Sequence, residues 1–208
     1  MKNGIKLVRA SLAVGALALL MMEVGVVRSA SSASPAKAQK VERGRYLVQA
    51  GGCHDCHTPK KMGPQGPEPD LSRALSGHPE GSKLPSPPRL PEGPWAAVAS
   101  WDLTAWSGPW GVSYTFNLTP DENTGIGSWS EETFVKTLRT GRHMGVSRPI
   151  LPPMPWQNYS TLEEEDLKAI YAYLRTLPPI SHVVDNGPNP TPCRKCGLSH
   201  GGGDKNGR

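Results

Sequence analysis

Residues 51–57 read Gly51-Gly52-Cys53-His54-Asp55-Cys56-His57, and the last five form the string C-x-x-C-H. Two thiols three positions apart, followed at once by an imidazole, suit covalent attachment of a porphyrin. Each sulfur can add to one vinyl group, and the adjacent histidine is then held under the iron. The string predicts one covalently bound haem c, linked through Cys53 and Cys56, with His57 as an axial ligand. A thioredoxin-like pair would need a βαβ pattern around it, which the flanking sequence lacks. A zinc site would need two further close ligands.

Working outward, residues 39–52 predict a short helix whose apolar side is Val41, Leu47, Val48 and Ala50, ended by Gly51-Gly52. Residues 58–112 contain eleven prolines and little periodicity. They read as a long ordered loop with one helical turn near Asp70–Leu75, the kind of segment that is often functional. A second helix is predicted over 130–141, capped by Ser130, stapled by Trp129 and Phe134, and ended by Gly141. The strongest signal lies at 162–177. Thr161 to Glu164 match a capping box, and Leu167, Ile170, Tyr171, Leu174 and Leu177 share one face.

Electron-transfer haems commonly place methionine opposite histidine. Met154, in Pro152-Pro153-Met154-Pro155-Trp156, is the best candidate, because the flanking prolines leave its backbone little freedom to lose. Met144, His143 and His78 compete with it, whereas Met62 is too near His57 to reach the other face. His57 should donate its second ring nitrogen to a carbonyl, with Pro64, Pro67 and Pro69 as candidates. Trp156, Tyr159, Arg142 and Arg148 are candidates to meet the haem propionates.

Residues 1–38 read as an export leader: Lys2, Lys6 and Arg9, then the apolar run Ser11–Met22, then small residues with cleavage strings at Ser31–Ala33 and Ala36–Ala38. An uncleaved membrane anchor is the alternative. Five Lys/Arg and one acid lie in this leader, and four Lys/Arg and one acid lie from Cys193 onward. They leave residues 39–192 at −2 against +5 for the whole chain. Basicity therefore belongs to the ends and does not argue for nucleic-acid binding. Export also favours an oxidised state for the second C-x-x-C, Cys193 and Cys196, read as a disulfide within the tail. The expected organisation is a leader at 1–38, one domain at 39–182 and a flexible tail at 183–208.

The chain resembles the cytochrome c subunits of membrane-bound bacterial alcohol, gluconate and nicotinate dehydrogenases. The likeness covers about residues 42–180. It rests on GRYLVQAGGCHDCHT, on DLSRALSGHP from Asp70, and on Asn117–Asp121, Thr124–Gly127, Trp129-Ser130, RTGRHMGVSRPILPPMPW and DLKAIYAYLRTLPPI. What the resemblance implies is a class I-like cytochrome c fold, its N- and C-terminal helices crossing beside a His/Met haem. The implied linking residues are Cys53 and Cys56, and the implied axial ligands are His57 and Met154. Larger members of that family carry three such modules and take electrons from a catalytic dehydrogenase; this sequence has one module. The expectation is an all-α, haem-centred domain with a long Pro/Gly-rich insertion. It would act as a periplasmic electron carrier or electron-transfer subunit and not as an enzyme. Its partners would be redox proteins such as a dehydrogenase subunit or a terminal oxidase, with no nucleic acid, and with a membrane only if the leader stays. A haem enzyme or gas sensor with an open sixth iron position is the alternative.

Overall fold

The computed structural model describes residues 34–82, 84–88, 93–184, 186, 191–192 and 199–200. Cys193, Cys196 and the first 33 residues of the expected leader lie outside them. Helix α1 spans Pro35–Ala50 and so begins inside the stretch assigned to the leader. Proline is at home in a first turn, where its missing N–H would have had no partner. Most of α1 is polar, and its buried residues, Gly44 and Val48, form a narrow stripe one turn apart.

That stripe meets α5 (Glu164–Leu174), which buries Leu167, Ala169, Ile170 and Leu174. A Cβ on Gly44 would stand 1.9 Å from the carbonyl oxygen of Ala169, so the two helices cross with their backbones touching. Arg43 fastens the crossing through two hydrogen bonds to the Asp166 carboxylate, at 2.8 and 2.9 Å. Helix α3 (Glu131–Thr140) completes the helical core with Phe134 and Leu138, beside Trp129. Its ends are as read: Ser130 accepts from the Thr133 N–H, and Gly141 closes it at φ 63°. The capping box at Thr161 does not form. A separate short helix, α4 (Trp156–Tyr159), precedes α5, and the Thr161 hydroxyl donates to the Asn158 carbonyl instead. Helix α5 starts after Glu163 with no side-chain cap.

The all-α expectation is overturned. With a one-turn helix α2 (Cys53–His57), the domain has five α-helices and, inside the stretch read as loop and just beyond it, two antiparallel sheets of five strands among the described residues. The first sheet pairs β1 (Lys60–Gly63) with β2 (Gly66–Pro69); the second orders β3 (Val98–Ala99), β4 (Ala105–Gly108) and β5 (Gly111–Tyr114) as a meander. Two tetrapeptides explain both hairpins: Gly63-Pro64-Gln65-Gly66 and Gly108-Pro109-Trp110-Gly111. Proline fixes φ at the first corner, and the closing glycines adopt φ of 115° and 94°. The prolines thus punctuate short strands. A single 3₁₀ turn at Leu71–Arg73, capped by Asp70, sits where a helical turn is expected. A further two-residue ladder pairs β6 (Thr191–Pro192) with β7 (Ser199–His200).

Beyond α5 the chain runs back along residues 114–124. Asn117 donates to the Ile180 carbonyl at 2.7 Å, and the His182 N–H donates to Thr124. The Asn186 amide pairs with both backbone groups of Tyr114, at 2.8 and 2.6 Å, in the manner of a further strand on the open edge of β5. Among the described residues, no helix is long and apolar enough to cross a membrane.

Two outcomes follow from the crossing. Gly44→Ala gains about 1 kcal/mol of helix propensity. It must also force a methyl into a backbone carbonyl that cannot rotate away, and overpacking of this kind costs about 1–3 kcal/mol or more. Urea unfolding should therefore show a net loss of stability. The Asp166 carboxyl lies below the ordinary carboxylate range because Arg43 donates to it. Its contribution is present above the unfolded value of about 4 and is lost as pH falls through the folded value. Asp166→Asn should be slightly less stable than wild type at pH 7, the pair being exposed. The difference should vanish as pH drops below about 4.

Candidate functional site

The local sequence around α2 dictates its geometry. Gly51 donates to the Leu47 carbonyl and ends α1, and Gly52, at φ 69°, turns the chain sharply into the next helical turn. Residues three and four apart on a helix share a face. Cys53, Cys56 and His57 accordingly line one cavity of about 390 Å³. Val48 of α1, Leu138 of α3, Ile170 and Leu174 of α5, Trp106 of β4 and Tyr114 of β5 also line it, so the helical core and the three-stranded sheet both supply walls.

His57 is fixed from behind. Its Nδ1 lies 2.7 Å from the Phe116 carbonyl oxygen. A carbonyl can only accept, so Nδ1 carries the proton and Nε2 the lone pair. Burial pushes the His57 pKa below its ordinary value, the Phe116 bond opposing and nearby His54 adding to the fall. A neutral imidazole with its second nitrogen tied to a carbonyl is the form that ligates iron. The carbonyl is the kind of partner expected, but Pro64, Pro67 and Pro69 do not provide it; they are exposed in and beside the β1–β2 hairpin. No side-chain signal marks Phe116 for this role, since any residue carries a carbonyl.

The two thiols are unpaired. Burial pushes Cys53 up to about 11, with hydrogen bonding to Tyr159 the chief opposing influence, and raises Cys56 as well. Tyr159 also donates to the Gly51 carbonyl at 2.5 Å, pinning the glycine turn. Below α2, fully buried Thr58 accepts from the Leu75 N–H at 3.0 Å and lies 2.9 Å from His54 Nδ1.

Met154 reaches the same cavity from the segment before α4, together with Leu151 to Pro155. Its side chain is partly buried against the helical core. Of its competitors, Met144 is exposed, and His78 is buried elsewhere with Nδ1 bonded to Thr104 at 2.8 Å. His143 does line the cavity, with its ring edge-on to Phe116 and Trp129 at 5.3 and 5.2 Å. Arg148 and Tyr159 line the wall as well, whereas Arg142 is exposed and donates to the Ser147 carbonyl. Trp156 packs over Gly141. Sequence reasoning missed the sheet wall, Trp106 and Ser113 to Phe116, which the Gly-Pro-x-Gly turn could have revealed.

An apolar cavity of this volume is typical of sites for cofactor-sized ligands, about 300–1,000 Å³. Its donor set suits a covalently held porphyrin: two sulfurs on one helical face, a neutral imidazole and a thioether. Among the described residues, no three His, Cys, Asp or Glu side chains gather to hold a bare metal ion.

No protein-family model matches the chain. It is 29% identical over 153 residues, 73% of its length, to the gluconate 2-dehydrogenase cytochrome c subunit of Pantoea cypripedii. It is 29% identical over 160 residues, 76% of its length, to the fructose dehydrogenase cytochrome subunit of Gluconobacter japonicus. A third relative, 29% identical over 174 residues or 83% of the chain, is the cytochrome c subunit of a quinone alcohol dehydrogenase of Gluconobacter oxydans. These alignments span 26%, 26% and 27% of the relatives' own lengths, so the chain corresponds to about a quarter of each. Likeness to these cytochrome subunits supports an electron-transfer cytochrome role.

Thr58→Val keeps the shape of the side chain and removes the acceptor for the buried Leu75 N–H. An unsatisfied buried donor costs about 1–3 kcal/mol, and thermal unfolding should register a loss of that order.

Proposed function

We propose that this chain is an exported electron carrier, or the electron-transfer subunit of a dehydrogenase, built around one covalently bound haem c. The observation that carries the reading is the convergence of Cys53, Cys56, His57 and Met154 on one apolar cavity, with His57 oriented by the Phe116 carbonyl. When bound, the haem supplies a one-electron couple at its iron. Cys53 and Cys56 would hold it through thioether links, and His57 Nε2 and the Met154 thioether would ligate its iron. Arg148 and Tyr159, on the cavity wall, would be the candidates to meet its carboxylates.

The chain's own residues support electron transfer over thiol chemistry. A nucleophilic cysteine needs a lowered pKa, and burial here raises both thiols. Thioether ligation and an apolar surrounding would both tune the potential. His143 is a poorer sixth ligand than Met154, because its ring is already packed edge-on against two aromatic neighbours. Residues 1–38 act as the export leader in this reading. The partner is a redox protein, and by analogy with the relatives a dehydrogenase.

Protein matured in a haem-attaching periplasm should carry haem that survives denaturation, and its ferric form should resist cyanide. Met154→Ala should keep the attached haem, lower the midpoint potential and bind cyanide readily. Wild-type protein that already takes up cyanide or CO as fast as Met154→Ala would instead mark an open-site enzyme or sensor. Absence of covalent haem would sink both readings.

A further inference from the structure

We infer that Ser113 is a positioning residue that sets the sixth ligand, by clamping the segment that carries Met154 to strand β5. The inference rests on the Met154 ligation proposed above and adds to it the part of the chain that enforces it.

The chemistry of residues 151–155 makes an outside clamp necessary. Leu151-Pro152-Pro153-Met154-Pro155 has three prolines, and each has lost its N–H. Only Leu151 and Met154 keep an N–H, so the segment is fixed mainly through its carbonyls and by packing. From the following helix α4 the Trp156 and Asn158 N–H groups donate to the Met154 and Pro155 carbonyls, at 2.9 and 3.0 Å; from the sheet, the Ser113 hydroxyl donates to the Pro152 carbonyl at 2.7 Å. Ser113 is itself buried, at 7% exposure, and lines the cavity beside Met154. Its hydroxyl orientation is set in turn. Trp110 Nε1 donates to Ser113 Oγ at 3.3 Å, which occupies the oxygen as acceptor and leaves its proton for Pro152.

The anchor is rigid where it needs to be. Ser113 pairs with Trp106 across β4–β5, and the next residue, Tyr114, is gripped on its other edge by Asn186. On the far side of Met154, Trp156 packs over Gly141, where any Cβ would collide with the indole ring at 2.2 Å. Upstream, the Ile150 N–H donates to the Gly141 carbonyl at 2.8 Å. The methionine segment is therefore tied at both ends to the end of α3, its Met154 and Pro155 carbonyls take N–H groups from the next turn of chain, and Ser113 holds Pro152 to the sheet. The sheet that the sequence hides as loop thus has a task at the site: it decides how firmly the thioether is presented.

The test uses haem-loaded protein in wild type, Ser113→Ala and Met154→Ala, reading covalent haem, midpoint potential and the ferric affinity for imidazole. Ser113→Ala should keep its haem, shift the potential part-way toward that of Met154→Ala, and bind imidazole about three- to tenfold more tightly than wild type, the range set by one neutral hydrogen bond. Ser113→Thr and Ser113→Val share one outline, so any steric damage is common to both. Thr should behave as wild type and Val as Ala, which keeps the test decisive if the alanine variant accumulates poorly. If Met154→Ala moves these readouts and neither Ser113→Ala nor Ser113→Val does, the positioning role is overturned. If Met154→Ala moves none of them, the ligand assignment itself fails, and the inference with it.

Discussion

The hydrogen bond from His57 to the Phe116 carbonyl ties the two halves of this domain together. It joins the helical turn carrying the cysteine pair to a segment 59 residues away, and it decides which imidazole nitrogen faces the cavity. The partner segment, residues 114–119, is bound on every side. Leu118 donates to the Leu75 carbonyl, Asn117 to the Ile180 carbonyl, and His78 to the Thr115 carbonyl. Much of the polar backbone in this irregular stretch is engaged in this way, which helps a non-helical segment to lie buried against a core. The ring of Phe116 stacks on Trp129 at 5.8 Å, so the same residue anchors the imidazole through its backbone and the α3 entrance through its side chain.

The sheets and the helices divide the work. The helical crossing at Gly44 supplies one side of the buried core, through Val48, Leu167, Ile170 and Leu174. Helices this closely apposed leave no room for adjustment, which suits a wall but not a ligand that must be aimed. The segment carrying Met154 rests on β5 instead, through the bond from Ser113 to the Pro152 carbonyl. Beyond the cavity the sheet has its own small core, Ala105, Tyr114 and Val184, and its own buried polar chain, in which His78 leans on Thr104 and Thr104 on Asp102. Burial pushes the His78 pKa down to about 4, with Asp102 opposing and nearby His182 and Arg73 adding to the fall, so this ring stays neutral at physiological pH and acts as a structural part. That is why a histidine considered as an iron ligand turns out to belong to the scaffold.

What was legible in the sequence was whatever local chemistry dictates. The C-x-x-C-H turn, the Ser130 cap, the Gly141 stop and the apolar face of α5 all depend on residues within one or two turns of each other. The strands were not legible by periodicity, because Ala105–Gly108 and Gly111–Tyr114 are four residues each and alternate weakly. They were legible in the turn between them, and eleven prolines read as disorder of pattern concealed two Gly-Pro-x-Gly corners. The capping box failed for a different reason. A tryptophan packed on Gly141 nucleates α4 immediately upstream, and its carbonyls capture Thr161 first. The Phe116 carbonyl could not be found at all, since backbone acceptors are set by topology and leave no trace in side-chain identity.

The cysteines illustrate how environment selects among the chemistries that one motif permits. A C-x-x-C pair at an exposed helix start, with cations nearby, yields a reactive thiolate. Here the pair opens a helix of five residues, too short to offer much of a dipole, and faces an apolar cavity with Asp55 between the sulfurs. Desolvation is the largest influence on both thiols, and Asp55 pushes in the same direction. The site therefore disfavours charge on sulfur and leaves the imidazole neutral. Both properties hinder disulfide exchange and neither hinders thioether links or iron ligation, so the electrostatics of the cavity and the spacing of the motif point to the same use.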